Sequence, residues 1–565
     1  MSLGVVMLVH TAFDRAEQMA RHWAAGGCPV VIHVDAVVSR KLFRAFVKSL
    51  ADVPGIRFSK RVRCDWGTWG LVSASQTASE MLLIENNDVS HVYLVSGSCL
   101  PLRPVEDLVK YLADRPQTDF IESVTTSDVN WTAGGLNIER FTLYFPFSWK
   151  RRRYLFDKYT KFQKLLRIKR KIPKGLNPHI GSQWWCLTRQ TLTSILQAPD
   201  REEYDAYFRR VWIPDESYFQ TLARQFSVNL ESRSLTLSKF DSYGKPHVFY
   251  DDHLQVLSRS NCFVARKIWP HADRLYSTFP NDLGADTGQT VPSPGRIERV
   301  FARASDRRNR GRQGLYMQSR FPRKGRENGV TAAPYSVFQG FTEIFENFEP
   351  WLAQATSARV HGHLYDPKRV EFADGLSGFD GALNDSAISR DYNPSAFLTN
   401  LIWNMRGERQ CFQFGPADTQ DIHELIMRDP NAHVSVISGA WLIPLFRSNR
   451  DFLDIRKEAA CLQKIESGHL DVLRSPDCKA RVRLWTMAEF LEKPVEPLQA
   501  ILDEIGPAQA RPLSELPKMV SLSGFGRFLQ NLKNQGMYPY LVGDFPLSFE
   551  HDERQIIKSK PYLVR

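Results

Sequence analysis

No stretch of this 565-residue sequence approaches the roughly 20 consecutive apolar residues that a membrane-spanning helix needs. The first apolar run, residues 3–9, is short, with no basic flank before it and no small-residue cleavage site after it, so a signal peptide is not expected. Thr11 and Asp14 follow at once, which reads as a β-strand running into a capped helix. Eight cysteines are scattered through the chain and none forms a CxxC pair, leaving a zinc site without support. Reduced, mostly core cysteines point to a cytosolic location. No repeat of solenoid or propeller length is present, which excludes those architectures.

What is present is a globular composition, 43% hydrophobic, 24% charged and 12% aromatic, at a length that suggests two or three domains. The formal charge of +12 is concentrated in two places. Residues 150–174 hold twelve Lys or Arg and one acid, Asp157, and residues 296–327 hold eleven and three. These segments carry +11 and +8, so the remainder is near −7. Two local basic surfaces imply anionic partners: phosphates, anionic lipid or nucleic acid. In the first, Leu155, Phe156, Tyr159, Phe162, Leu165, Leu166 and Ile168 fall at helical spacing. The leading reading is a helix packed by that apolar stripe, with its cations solvated. Peripheral contact with an anionic membrane comes second. Nucleic acid is not expected, because no recognition motif accompanies the charge.

Short β-branched runs at 5–9, 30–34, 92–95 and 120–121 alternate with amphipathic stretches at 14–25, 71–86 and 105–115. Such alternation predicts a mixed, mainly parallel sheet with helices on both faces, which binds ligands at the carboxyl ends of its strands. Residues 280–295 are rich in Gly, Pro, Asp and Thr, and an Arg-rich segment follows. The chain therefore divides into an α/β domain over 1–285, a basic linker over 286–330 and a second α/β domain over 331–565. In the last, strands are expected at 359–363, 410–414, 433–438 and 481–485, and helices at 396–406 and 419–428. It has no Walker loop and no GxGxxG, and its function is not legible.

Five segments of the first half carry more. In order they are Leu8-Val9-His10; Ile32-His33-Val34-Asp35; Asp65-Trp66-Gly67; Tyr93-Leu94-Val95-Ser96-Gly97 with Pro101-Leu102-Arg103; and a last group of Gly181-Ser182-Gln183-Trp184, Pro214-Asp215-Glu216 and Ala265-Arg266-Lys267. Together they resemble the core-2/I-branching N-acetylglucosaminyltransferases and peptide O-xylosyltransferases, over nearly all of the first half and none of the second. The resemblance implies a GT-A-like fold and a UDP-sugar donor. Read locally, Asp35 is a turn residue or an acceptor for nucleoside hydroxyls; the resemblance implies the nucleoside. Leu8, Cys64, Asp65 and Trp66 match further nucleotide-contacting positions.

Glu216 reads locally as an ordinary helix start. The resemblance implies that it is the catalytic base; Asp215 is the rival within the motif and is read instead as serving the helix start. Arg266 and Lys267 sit in an apolar run and need an anion or a route to solvent; the resemblance implies a grip on the diphosphate of UDP. Many nucleotide-sugar transferases of this fold hold a divalent metal with an Asp-x-Asp turn after an early strand. None occurs here, Asp251-Asp252-His253 lying late, so basic side chains are expected in place of a metal, and no cofactor. Gln183 and Trp184 belong to a short apolar strand whose two tryptophans face opposite ways, one buried and one free to line a sugar pocket. Gln183 stands where the xylosyltransferase branch has Asp, whereas Ala265-Arg266-Lys267 resembles that branch, so the sugar stays open between xylose and N-acetylglucosamine. Lys245, in a Gly-Lys-Pro turn, is a weaker site candidate.

The sequence thus predicts an inverting, metal-independent transferase acting on a hydroxyl of a glycan or peptide. The expected setting is surface polysaccharide or glycoconjugate synthesis in the cytoplasm, or at the inner face of the membrane. The alternative is a non-catalytic binding protein of the same fold that docks through its basic segments.

Overall fold

The computed structural model describes residues 2–128, 136–239, 246–281, 292–295, 297, 300–301, 331–379, 383–475, 477–506, 513 and 515–547. The chain forms two units, Met1–Glu298 with Gln530–Tyr538, and Arg299–Leu529 with Pro539–Arg565.

The first unit is built on a seven-stranded sheet. Its strands are β1 (Ser2–Val9), β2 (Val30–Val34), β3 (Ile56–Phe58), β4 (Val89–Ser96), then β6 (Thr118–Phe120), β9 (Cys186–Thr188) and β10 (Asn229–Glu231). The order is β10-β6-β9-β4-β1-β2-β3, parallel throughout except for β9, which runs against both its neighbours. Every residue of β2 is buried, as is every residue of β1 after the first. Strands covered on both faces read as unbroken apolar runs rather than alternating ones, which is why these two were legible in sequence. Helices α1 (Phe13–Ala25), α2 (Gly70–Glu85) and α3 (Val105–Ala113) supply the coverage. Trp185, fully buried against Phe219, lies in the main core with Leu82, Val92 and Tyr218.

Two smaller pairings bring distant residues to the carboxyl edge of this sheet. Strand β5 (Leu100–Pro101) directly follows the end of β4, and β12 (Val264–Arg266) pairs antiparallel to it, Ala265 opposite Leu100. On its other side β12 takes β11 (Thr236–Ser238) in parallel. The hydrogen bond from Ile268 N to Ser98 O continues the attachment past Lys267. Strand β7 (Val124–Thr125) pairs with β8 (His179–Ile180), just before Gly181. Residues 530–538 lie against this ribbon: Thr125 N donates to Gly536 O, Ser232 N donates to Asn534 Oδ1, and Lys533 pairs with Glu122 at 3.3 Å. The linear division of the sequence does not anticipate that segment.

The basic stretch forms helix α4 (Arg153–Leu165), but the packed-stripe reading fails. Its buried residues are Phe156, Thr160 and Gln163, with Phe156 against Phe145 and Trp212. Tyr154, Leu155, Phe162, Leu165 and Leu166 are exposed. The helix is seated by a stripe containing one aromatic ring, and most of its apolar side chains face outward.

The second unit is a five-stranded, all-parallel sheet of β13 (Tyr335–Gln339), β14 (Arg359–His363), β15 (Gln410–Gln413), β16 (Ala432–Ser438) and β17 (Arg481–Thr486), in the order β14-β15-β13-β16-β17. The four expected strands are present. The central strand, β13, was not among them, because its Ser336 and Gln339 break the apolar run although both are buried. At the carboxyl edge, Glu466 of helix α5 (Phe452–Leu473) accepts hydrogen bonds from Gln339 Nε2 (2.6 Å), Gly439 N (3.1 Å) and Trp441 Nε1 (2.8 Å). Burial pushes its carboxyl up to about 7. Glu466→Leu strands three buried donors and is expected to destabilise the second unit by about 3 kcal/mol, read as an earlier urea transition with the slope unchanged.

Candidate functional site

The residues singled out in sequence converge on the carboxyl edge of the first sheet. Leu8, buried near the end of β1, accepts from Gly97 N through its carbonyl and pairs in register with His33 and Ser96. Asp35 follows β2. Its Oδ1 accepts from Val37 N (2.9 Å) and Cys64 N (3.2 Å), and its Oδ2 makes no hydrogen bond among the described residues. One oxygen holds the loop after β3 in place, and the other remains as an acceptor. His33 Nε2 accepts from Val62 N, which requires neutral imidazole, and burial lowers that ring's proton affinity to about 4.

Cys64 is pushed up to about 12, by burial first and then by Asp35, Asp215 and Asp65. It remains a thiol and is no nucleophile. Its neighbour Asp65 accepts from Arg151 at 2.8 Å, and Trp66, exposed, meets the edge of Trp149 at 5.8 Å between centroids.

Arg266 and Lys267 stand at the end of β12. The Arg266 guanidinium lies 4.1 Å over the ring of Trp184. Trp184 and Trp185 are therefore both buried, and the expected pairing of one core ring with one open ring does not occur; Trp184 is the seat for Arg266. Nor are Gln183 and Trp184 in a strand: they lie in the turn before β9, where the half-buried Gln183 side chain makes no hydrogen bond among the described residues. Burial lowers the proton affinity of both cations, and each then lowers that of its surroundings: Lys267 feels Arg266 and Lys150, and His10 feels Lys267, Lys150 and Arg266 against the single acid Asp35. Neither Arg266 nor Lys267 has a carboxylate within ion-pair distance among the described residues, and Arg266 Nε is buried without a partner. Lys245 lies outside the described residues.

Glu216 closes a short 3₁₀ turn, Pro214–Glu216, ahead of helix Tyr218–Phe226. The turn is reached through Ile213, whose φ of 52° is a strained left-handed conformation for a β-branched residue. Glu216 O accepts from Gly181 N at 3.0 Å, and Gln220 Nε2 bonds both Ser182 O (2.7 Å) and Asp215 O (3.3 Å). About a third of the Glu216 side chain is open (32%), and Oε2 lies 3.7 Å from Nη1 of Arg140, an ion pair too long for a hydrogen bond. Burial raises the Glu216 carboxyl, Arg140 opposes that shift, Glu122 adds to it and Arg266 offsets it. A carboxyl with raised proton affinity and a pair of cations thus share one electrostatic neighbourhood.

Two features were missed in sequence. Arg140, 2% exposed, was not singled out in the sequence, and only the folded chain brings it to Glu216. Asp215 does not serve the helix start: the following helix has no side-chain cap, and Asp215 is buried with Oδ1 unpartnered. Burial, then Glu216, pushes its carboxyl up to about 7.

Because Asp215 binds its proton more tightly folded than unfolded, the folded chain holds the extra proton between about 4 and about 7. Stability is therefore fullest below that window and falls as pH rises through it. Asp215→Asn is expected to flatten this slope, so its melting temperature gains on the wild type at pH above the window and not below. Gly181 admits no side chain, since a Cβ would lie 1.8 Å from Glu122 O. Gly181→Ala is expected to cost about 3 kcal/mol in chemical denaturation and to displace the Glu216 turn.

The family described as Core-2/I-Branching enzyme matches residues 15–259, and the family of unknown function DUF5927 matches residues 266–565, beginning at Arg266 itself. No curated protein matches the chain. Among solved structures, the apo-form glycosyltransferase GlyE of Streptococcus pneumoniae TIGR4 is similar at 8% identity and a TM-score of 0.23, covering 84% of this chain and 100% of its own. That score is too low to carry an argument. Among the described residues no helix is long and apolar enough to cross a membrane. Residues 15–259 form a Core-2/I-Branching enzyme domain, so the first unit is a glycosyltransferase of GT-A-like fold, and through residues 266–565 the chain belongs to the DUF5927 family.

Proposed function

We propose that the first unit transfers a sugar from a UDP-sugar to a hydroxyl of a glycan or peptide, with inversion and without a divalent metal. The observation that carries this reading is the pair Arg266 and Lys267, part-buried, with the charge of Glu216 felt at Arg266 and no carboxylate within ion-pair distance among the described residues. Two such cations are stabilised by a ligand that brings negative charge, and a diphosphate brings it in the right amount. Asp35 Oδ2 suits a ribose or base donor, and the Trp184 ring seats the Arg266 guanidinium that would meet the phosphates.

In the reaction, Glu216 takes the proton of the acceptor hydroxyl as its oxygen attacks the anomeric carbon. The bond from that carbon to the diphosphate breaks, and UDP leaves with its added charge against Arg266 and Lys267. An α-linked donor gives a β-linked product. The raised proton affinity of Glu216 makes it a better base than a solvated carboxylate, while Arg140 opposes that shift and favours the ionised form. Xylose and N-acetylglucosamine are the two donors to try, with surface polysaccharide or glycoconjugate synthesis as the setting.

The test is UDP release from UDP-xylose and UDP-N-acetylglucosamine in excess EDTA. Glu216→Gln is expected to lower kcat by about 10³-fold, and Arg266→Ala by about 10²-fold. The acid limb of kcat/KM is expected above the ordinary glutamate range and to move further up in Arg140→Met, since loss of the cation favours the neutral, protonated carboxyl over the carboxylate base. UDP release that survives Glu216→Gln removes the assigned base; release abolished by EDTA and restored by a divalent cation removes metal independence. A chain with no UDP affinity that still binds vesicles or DNA is the binding protein instead.

A further inference from the structure

Helix α4 presents a surface that neither the fold nor the transfer reaction uses. At 3.6 residues per turn, Phe156, Thr160 and Gln163 form its seated side. The opposite side carries Tyr154, Lys158, Lys161 and Leu165 in one row, with Leu155, Phe162 and Leu166 beside it. Tyr154 is 68% exposed, Phe162 51% and Leu165 80%. Large apolar side chains are thus interleaved with lysines on one outward face, inside a 25-residue segment of net charge +11.

We propose that this face lies in the headgroup region of an anionic lipid surface, with Leu155, Phe162 and Leu165 entering the acyl boundary and the lysines engaging lipid phosphates. The occupant follows from the combination of features. Cations alone would suit any polyanion, but a phosphate backbone leaves five large apolar side chains in water. Apolar side chains alone would suit a second copy of the chain, but that brings two surfaces of +11 together. An anionic bilayer satisfies both at once, and apolar entry plus charge is how an interfacial helix binds.

The face is continuous with the candidate site. Arg151, two residues before α4, pairs with Asp65, Trp149 meets Trp66, and the charge of Lys150 is felt at Lys267. If the transferase reading holds, on which this consequence alone rests, the cleft opens beside the bilayer and the acceptor hydroxyl is carried on a lipid.

The experiment is co-sedimentation of the full chain with vesicles of phosphatidylcholine alone and of phosphatidylcholine with phosphatidylglycerol, at low and high salt. Partition is expected onto the anionic vesicles, weakened by salt. The triple variant Leu155→Ser, Phe162→Ser, Leu165→Ser is expected to lower it about tenfold, and Lys158→Glu with Lys161→Glu to lower it about as much. UDP release in solution and the thermal transition should be unchanged in both, because these side chains are exposed and outside the site. Equal binding to neutral vesicles, no binding to either, or binding unaffected by the triple variant overturns the proposal. So does a concentration-dependent dimer, or duplex DNA binding, that the same substitutions abolish without vesicle association. Because sedimentation needs no turnover, a failure here is distinct from a failure of the transferase reading.

Discussion

Charge balance at one edge of a sheet governs the first unit. Arg266 and Lys267 are adjacent, part-buried and without a carboxylate partner among the described residues, while Glu216 is held with its proton affinity raised. Protein interiors rarely leave cations uncompensated unless something from outside completes them. The Trp184 ring under Arg266 and the pairing of β12 with β5 fix where these two cations sit.

The scaffolding around this edge is correspondingly stiff. Asp35 uses one oxygen to tie two loops, Gly181 lets the Glu216 turn approach the backbone at Glu122, and Ile213 accepts a strained conformation to aim that turn. Strain of this kind, about 1–3 kcal/mol per residue, persists only where surrounding packing over-determines it. Here Trp212 and Ile213 are buried in a small cluster with Phe145 and Phe156. The seated side of α4 therefore helps to hold the turn that carries Glu216.

Strands with unbroken β-branched runs announced themselves in sequence, and so did the motifs at the ends of β1, β2 and β4, because ligand sites on such sheets gather there. What was not legible depends on partners far away in the chain. Arg140 becomes a neighbour of Glu216 only through the fold, and Asp215 looks like any acid at a helix start until its burial is seen. The outward turn of α4 was hidden for a related reason: apolar spacing marks an amphipathic helix but does not say which side is covered. Strand β13 was masked by Ser336 and Gln339, whose burial a pattern of apolar residues cannot convey.

The chain leaves the first unit at residue 298 and supplies residues 530–538 to it near the far end of the sequence. During synthesis, the strip that binds Thr125, Ser232 and Glu122 emerges only after the long intervening segment 299–529. A first unit cut off at residue 298 would leave Thr125, Ser232 and Glu122 without these partners.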